Sequence, residues 1–87
     1  MFVVMAYDVN VNRVFKVLKT CRKYLNWVQN SVLEGEMTKA KFERLKSELR
    51  KVIEPEEDSV VFYCLRTTQY LIHEHLGIEK GKAELIL

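Results

Sequence analysis

The chain has 87 residues, 48% of them hydrophobic and 30% charged, with a formal net charge of +2. That length makes one domain, which buries only roughly 60–65% of its unfolded surface, so a second subunit would enlarge a small core. The composition excludes a disordered chain, and no apolar run approaches the ~20 residues of a membrane-spanning helix.

The first element is a strand over Met1–Tyr7, rich in Val and aromatic residues. It is the longest apolar run, and with no basic region before it the expectation is a cytoplasmic protein without a signal peptide. Asp8–Asn12 is a turn in which Asn10 or Asn12 caps the following helix. From Val11 to Tyr24 the spacing is helical. Val14, Val17, Leu18 and Cys21 share one face, and Lys16, Lys19 and Lys23 the opposite one, with Arg13 on its flank. Leu25–Met37 (LNWVQNSVLEGEM) is strand-like but interrupted at Gln29–Ser31, as a short hairpin or as one strand with a bulge.

Thr38 caps a second helix whose buried stripe is Phe42, Leu45, Leu49, Val52 and Ile53, and Pro55 stops it. The acidic run Glu54–Asp58 is a solvated loop or a docking edge for a basic partner. Val60–Leu65 (VVFYCL) is a second strongly apolar strand, and Leu85–Leu87 forms a terminal strand after a less regular stretch. Cys21 and Cys64, the only cysteines, lie far apart in apolar surroundings and read as buried hydrophobes.

Strand, helix, strand pair, helix, strand is the order of an α+β ferredoxin-like βαββαβ sandwich, a four-stranded antiparallel sheet with two helices on one face. Residues 1–66 form this core, and residues 67–87 a C-terminal extension for dimerisation or partner docking. The first and last strands of the motif are expected at the sheet's centre, and neither alternates between apolar and polar residues. A sheet with helices on one face should be polar on the other. Something therefore covers that face, and a second copy of the chain is the simplest cover.

Charge is uneven along the chain. Residues 1–33 hold five Lys/Arg and a single acid, Asp8. A basic N-terminal third suggests a polyanionic partner. The helical stripe Arg13, Lys16, Lys19 and Lys23, joined by Arg66, is either a solvated face or a surface for phosphates that reads no bases. Asp8 is either a turn aspartate or a ligand for a hard cation such as Mg²⁺, which takes one or two carboxylates together with waters and substrate phosphates. One carboxylate is a poor site, but a two-fold dimer presents each residue twice. Tyr7 and Ser31 are auxiliary candidates beside Asp8. Trp27 either stacks on a base or is buried in a dimer interface. His73 and His75 share a strand face and lack a third ligand nearby.

Three stretches, VVMAYDVNVNRV, KYLNWVQNSVLEGEM and EEDSVVFYCL, together resemble the small CRISPR-associated endoribonuclease family, the Cas-two proteins. The likeness covers residues 1–65 and, more loosely, the tail LGIEKGKAELIL. It implies a ferredoxin-like fold, a symmetric dimer and one Mg²⁺ per dimer held by the two copies of Asp8. It also implies partnership with the CRISPR integrase in spacer acquisition, with metal-dependent cleavage of RNA or duplex DNA as an accompanying activity. Many relatives carry two or three arginines after the first turn, whereas here Arg13 is followed by Val14 and Phe15. The expected function is a CRISPR adaptation protein that binds duplex DNA and bridges integrase subunits. The alternative is a stand-alone, toxin-like metal-dependent ribonuclease acting on single-stranded RNA.

Overall fold

The computed structural model describes residues 1–67 and 70–78. Among them are five strands and two helices in the order β1 (Phe2–Asp8), α1 (Val11–Cys21), β2 (Asn26–Gln29), β3 (Val32–Glu36), α2 (Lys39–Val52), β4 (Ser59–Thr67) and β5 (Tyr70–Gly77). The strands form one sheet in the order β2-β3-β1-β4-β5, and every adjacent pair is antiparallel. This is the expected ferredoxin-like α+β sandwich, with a fifth strand added to its sheet.

Alternation along β1 sends Val3, Met5 and Tyr7 into one core cluster. From β4, Val60, Phe62 and Cys64 join them, as do Val17 and Cys21 of α1 and Phe42, Leu45 and Leu49 of α2. Both helices therefore cover the same sheet face. Phe42 meets Phe62 edge-on, with ring centroids 5.1 Å apart, a favoured arrangement of the two ring quadrupoles. The opposite face carries Phe2, Val4 and Ala6 of β1 beside Val61, Tyr63 and Leu65 of β4. Val4 and Val61 are already buried within one chain, whereas Leu65 is exposed. The apolar second face read from the sequence is present.

Local chemistry sets the helix starts. The Asn10 side chain accepts from the Asn12 amide at α1, and Thr38 Oγ1 accepts from the Lys41 amide at α2. Helix α1 stops at Cys21, short of the expected Tyr24. Lys23 and Tyr24 thus lie beyond it, where both side chains bond Glu48 of α2. Residues 25–37 are a hairpin and also hold a bulge, between Trp27 and Gln29. Asn30 turns the chain with φ 41°, a left-handed conformation that Asn tolerates better than most side chains.

Two expectations are corrected. The stretch after β4 is a regular strand, β5, and it is β5 that makes β4 interior; in a four-stranded version of this order β4 would be an edge. The expected strand at 85–87 lies outside the described residues. The run Glu54–Asp58 is also more than a solvated loop, because Asp58 is fully buried. Its Oδ1 accepts from the Asn10 amide at 2.9 Å and from Arg13 Nη2 at 3.0 Å. Its Oδ2 accepts from Arg13 Nε at 2.6 Å and from the Glu54 amide at 2.7 Å. The Arg13 bond above all, then the two amides, holds the carboxyl well below the usual carboxylate range despite its burial. The Asp58 carbonyl in turn accepts from the Ile78 amide at 3.0 Å. The chain fits there because residue 77 is glycine: at φ +89°, a Cβ would stand 1.8 Å from that carbonyl oxygen.

Three predictions follow from this junction. Gly77→Ala destabilises the fold by at least about 1–3 kcal/mol, read as a drop in thermal midpoint of about 4–8 °C per kcal/mol. Asp58→Ala, which strips a buried pair of one partner, costs about 3–5 kcal/mol in denaturant unfolding. A group whose carboxyl is depressed on folding stabilises fully above its unfolded value of about 3.9 and loses that effect as pH falls through the folded value. The stability gap between wild type and Asp58→Asn therefore stays constant from about pH 8 to about pH 5 and narrows below about pH 4.

Candidate functional site

Strand β1 runs through the core and delivers Asp8 to its exposed end, where the ladder to β4 places Asp8 opposite Ser59. On its other side the β2–β3 turn comes alongside, and the Tyr7 amide donates to the Ser31 carbonyl at 3.0 Å. Tyr7, Asp8, Val9, Val14, Asn30 and Ser31 line one open cleft of about 270 Å³. The structure thus brings together Asp8 and both auxiliary candidates. Asn30 joins them. The sequence signal for Asn30 was its place in the interruption Gln29–Ser31, where a left-handed Asn points its short amide to the turn's surface.

The cleft offers a carboxylate, a hydroxyl and an amide, all of them hard oxygen donors of the kind Mg²⁺ prefers. Among the described residues, no three His, Cys, Asp or Glu side chains converge closely enough to hold a metal ion. The donor set of one chain therefore fits a largely hydrated cation, and a second carboxylate would have to come from another copy. Tyr7 is nearly all core, and its burial, reinforced by Cys21, pushes the phenol up. It stays neutral at physiological pH, a hydrogen-bond donor and not a base. Burial also pushes the Cys21 thiol up to about 12, and Cys21 and Cys64 are both buried and in no disulfide. Neither is a nucleophile.

The basic residues separate into two groups. Lys16 and Lys19 stand exposed on α1 and make no ion pair among the described residues. Lys23 is also exposed, but it is engaged by Glu48. Arg13 differs from the lysines of the stripe in being paired with Asp58 and Glu57. These partners lie 44 and 45 residues away, which is why the helical period alone assigned it to the solvent side. Arg66 lies on β4.

One exposed cation escaped the stripe: Arg22. It lines a shallow groove of about 260 Å³ with Phe15, Leu18 and Lys19. Helical spacing brings positions 15, 18 and 22 to one side, and this was the available signal. Trp27 is half exposed, with its indole N–H donating to the Asn30 carbonyl at 2.8 Å. His75 Nε2 shares a hydrogen bond of 2.8 Å with Ser59 Oγ.

The chain is similar to known proteins of one family. A family model described as CRISPR associated protein Cas2 matches residues 1–71. The CRISPR-associated endoribonuclease Cas2 of Dictyoglomus turgidum is 62% identical over 87 residues, covering 100% of both chains. That of Thermotoga maritima is 54% identical over 82 residues, 94% of each chain. Among solved structures, a crystal structure of a Cas2 protein superposes with a TM-score of 0.74 at 40% identity, covering 100% of this chain and 98% of that one. Streptococcus pyogenes Cas2 at pH 6.5 gives 0.70 at 39% identity, covering 75% and 86%. The matched region includes β1, the turn with Asp8, both helices and the whole of β4. The chain belongs to the CRISPR associated protein Cas2 family.

Proposed function

We propose that this chain works as a homodimer in CRISPR adaptation, holding duplex DNA on its basic surface and bridging integrase subunits, with Mg²⁺-dependent cleavage of RNA or DNA at Asp8. The observation that carries the reading is the position of Asp8. It is an exposed carboxylate at the end of a buried strand, in a cleft with Ser31 and Asn30, in a chain whose close relatives bear the name endoribonuclease.

Dimerisation is supported by the second sheet face, where Phe2, Ala6, Tyr63 and Leu65 leave apolar surface uncovered around Val4 and Val61. Packing two such faces about a two-fold axis would hide that surface and present Asp8 together with Asp8 of the partner subunit. Mg²⁺ bound by the two carboxylates would supply a Lewis acid for the scissile phosphate and an activated water. The chain's own residues do the rest. Asp8 holds the ion, and Ser31 and Asn30 offer hydrogen bonds to a phosphate or its waters. The core packing around Tyr7 keeps the strand end rigid.

Lys16, Lys19, Lys23 and Arg66 supply attraction to the phosphate backbone that reads no sequence. The word endoribonuclease in the relatives' names supports a second reading, a toxin-like metal-dependent ribonuclease with no integrase role. In that case cleavage survives without any integrase and RNA is cut in preference to duplex DNA.

Wild type and Asp8→Asn are assayed on labelled RNA and duplex DNA, with Mg²⁺ and with chelator, scoring cleavage and binding in the same tubes. Cleavage falls by more than about a hundredfold in Asp8→Asn and in chelator, while binding persists. No cutting by either protein would remove the catalytic part and leave the bridge. Separately, Lys16→Ala/Lys19→Ala weakens duplex DNA binding and lowers the slope of log K against log salt by about 2, or about 0.9 per lost phosphate contact.

A further inference from the structure

We propose that Arg13 is a positioning residue that holds the Asp8 turn through Asp58, and that it makes no contact with nucleic acid. The inference rests on the proposed role of Asp8 for its catalytic consequence, but the latch itself is geometric. Asp8 is anchored by strand pairing to Ser59, and the next residue but one, Asn10, donates its amide to the side chain of Asp58, the neighbour of Ser59. The segment from Asp8 to Asn10 is therefore tied twice, to Asp58 and to Ser59 where β4 begins. The Asp58 carboxylate fixes the Asn10 end of that segment, and strand pairing fixes the Asp8 end.

That carboxylate is fully buried and ionised, which is costly without a cation. Arg13 supplies the cation and fills two of the four acceptor positions, while the amides of Asn10 and Glu54 fill the others. Its Nη2 also reaches Glu57 at 2.6 Å, and its side chain is only 23% exposed. Three of the guanidinium's five N–H groups, and its charge, are committed to two carboxylates. Lys16 and Lys19, on the same helix and without such partners, are the cations that face outward. Removing Arg13 would leave Asp58 with a charge it must shed or turn towards water, and either response releases the Asn10 amide and loosens the Asp8 turn.

The test uses the full chain as wild type, Arg13→Gln, Arg13→Lys, Asp58→Asn and the double variant Arg13→Gln/Asp58→Asn, with Asp8→Asn as control, all at temperatures where each is folded. Three quantities are read: kcat and KM for RNA cleavage with Mg²⁺, the salt slope of duplex DNA binding, and hydrogen exchange at the Asn10 amide. A latch predicts that Arg13→Gln and Asp58→Asn each lower kcat roughly ten- to a hundredfold, the cost of a displaced reacting group. KM and salt slope stay unchanged, and Asn10 exchanges faster. The double variant is no worse than the poorer single one, since both break one unit. Arg13→Lys rescues only in part, because an ammonium lacks the fork that spans both Asp58 oxygens.

A direct nucleic-acid contact predicts the opposite pattern, and that result overturns the proposal. Arg13→Gln would then raise KM and lower the salt slope by about 0.9, Asp58→Asn would do neither, and the two effects would add. If wild type does not cleave at all, the role of Asp8 fails, and salt slope with Asn10 exchange still decide the latch. An unchanged slope with faster exchange supports it; a lowered slope with unchanged exchange sinks it.

Discussion

Asp58 gathers pieces of chain that are remote in sequence. Its side chain receives the turn after β1, the first turn of α1 and the end of α2, and its carbonyl receives the residue that leaves β5. Each of these donors finds its acceptor on a residue that is itself fully buried. A buried carboxylate with four donated bonds, two of them from a guanidinium, is stable, whereas one with fewer is a liability. The free end of β1 has its shape because this junction is complete. The core below, packed from Val3, Met5 and Tyr7 against both helices, stiffens the strand but does not choose where its end points.

A second buried charge works in a similar way on a smaller scale. Lys46 of α2 lies almost wholly buried, with Nζ 2.9 Å from Glu74 of β5, 3.0 Å from Glu43 and 4.4 Å from the centre of the Phe42 ring. The aliphatic stem packs with the core while the ammonium meets its partners at the rim. The contact joins α2 to the added strand, and Leu76 packs beside it against the main core. The fifth strand is thus tied to the domain by backbone pairing, by an ion pair and by apolar contact.

How much of this was legible follows from the range of each interaction. The apolar runs of β1 and β4 announced buried strands, and Asn10 and Thr38 marked helix starts, because these signals lie within a few residues of what they determine. The neighbourhood of Asp8, Tyr7 and Ser31 was legible through the strand-and-hairpin order, which brings the turn of the hairpin to the end of β1. Strand β5 was missed because His73, Glu74 and His75 interrupt its apolar residues, and Glu74 is acceptable there only because Lys46 faces it. Asp58 looked like the last acid of a solvated run, and Arg13 like the flank of a basic stripe. Their pairing spans 45 residues and has no local pattern. The end of α1 was placed too late because no Gly or Pro marks it.

The two edges of the sheet are unlike. One is β2, a strand of four residues, all exposed and broken by a bulge, with the Trp27 indole bonded back onto its own turn. Short, irregular edges of this kind present too few aligned backbone groups to recruit another strand. The other edge, among the described residues, is β5, with eight residues whose pairing to β4 is regular from Leu65 to Ser59. Among the described residues, the long and regular edge is therefore the one beside β5, at a border that also carries Gly77 and Ile78 and so adjoins the carbonyl of Asp58.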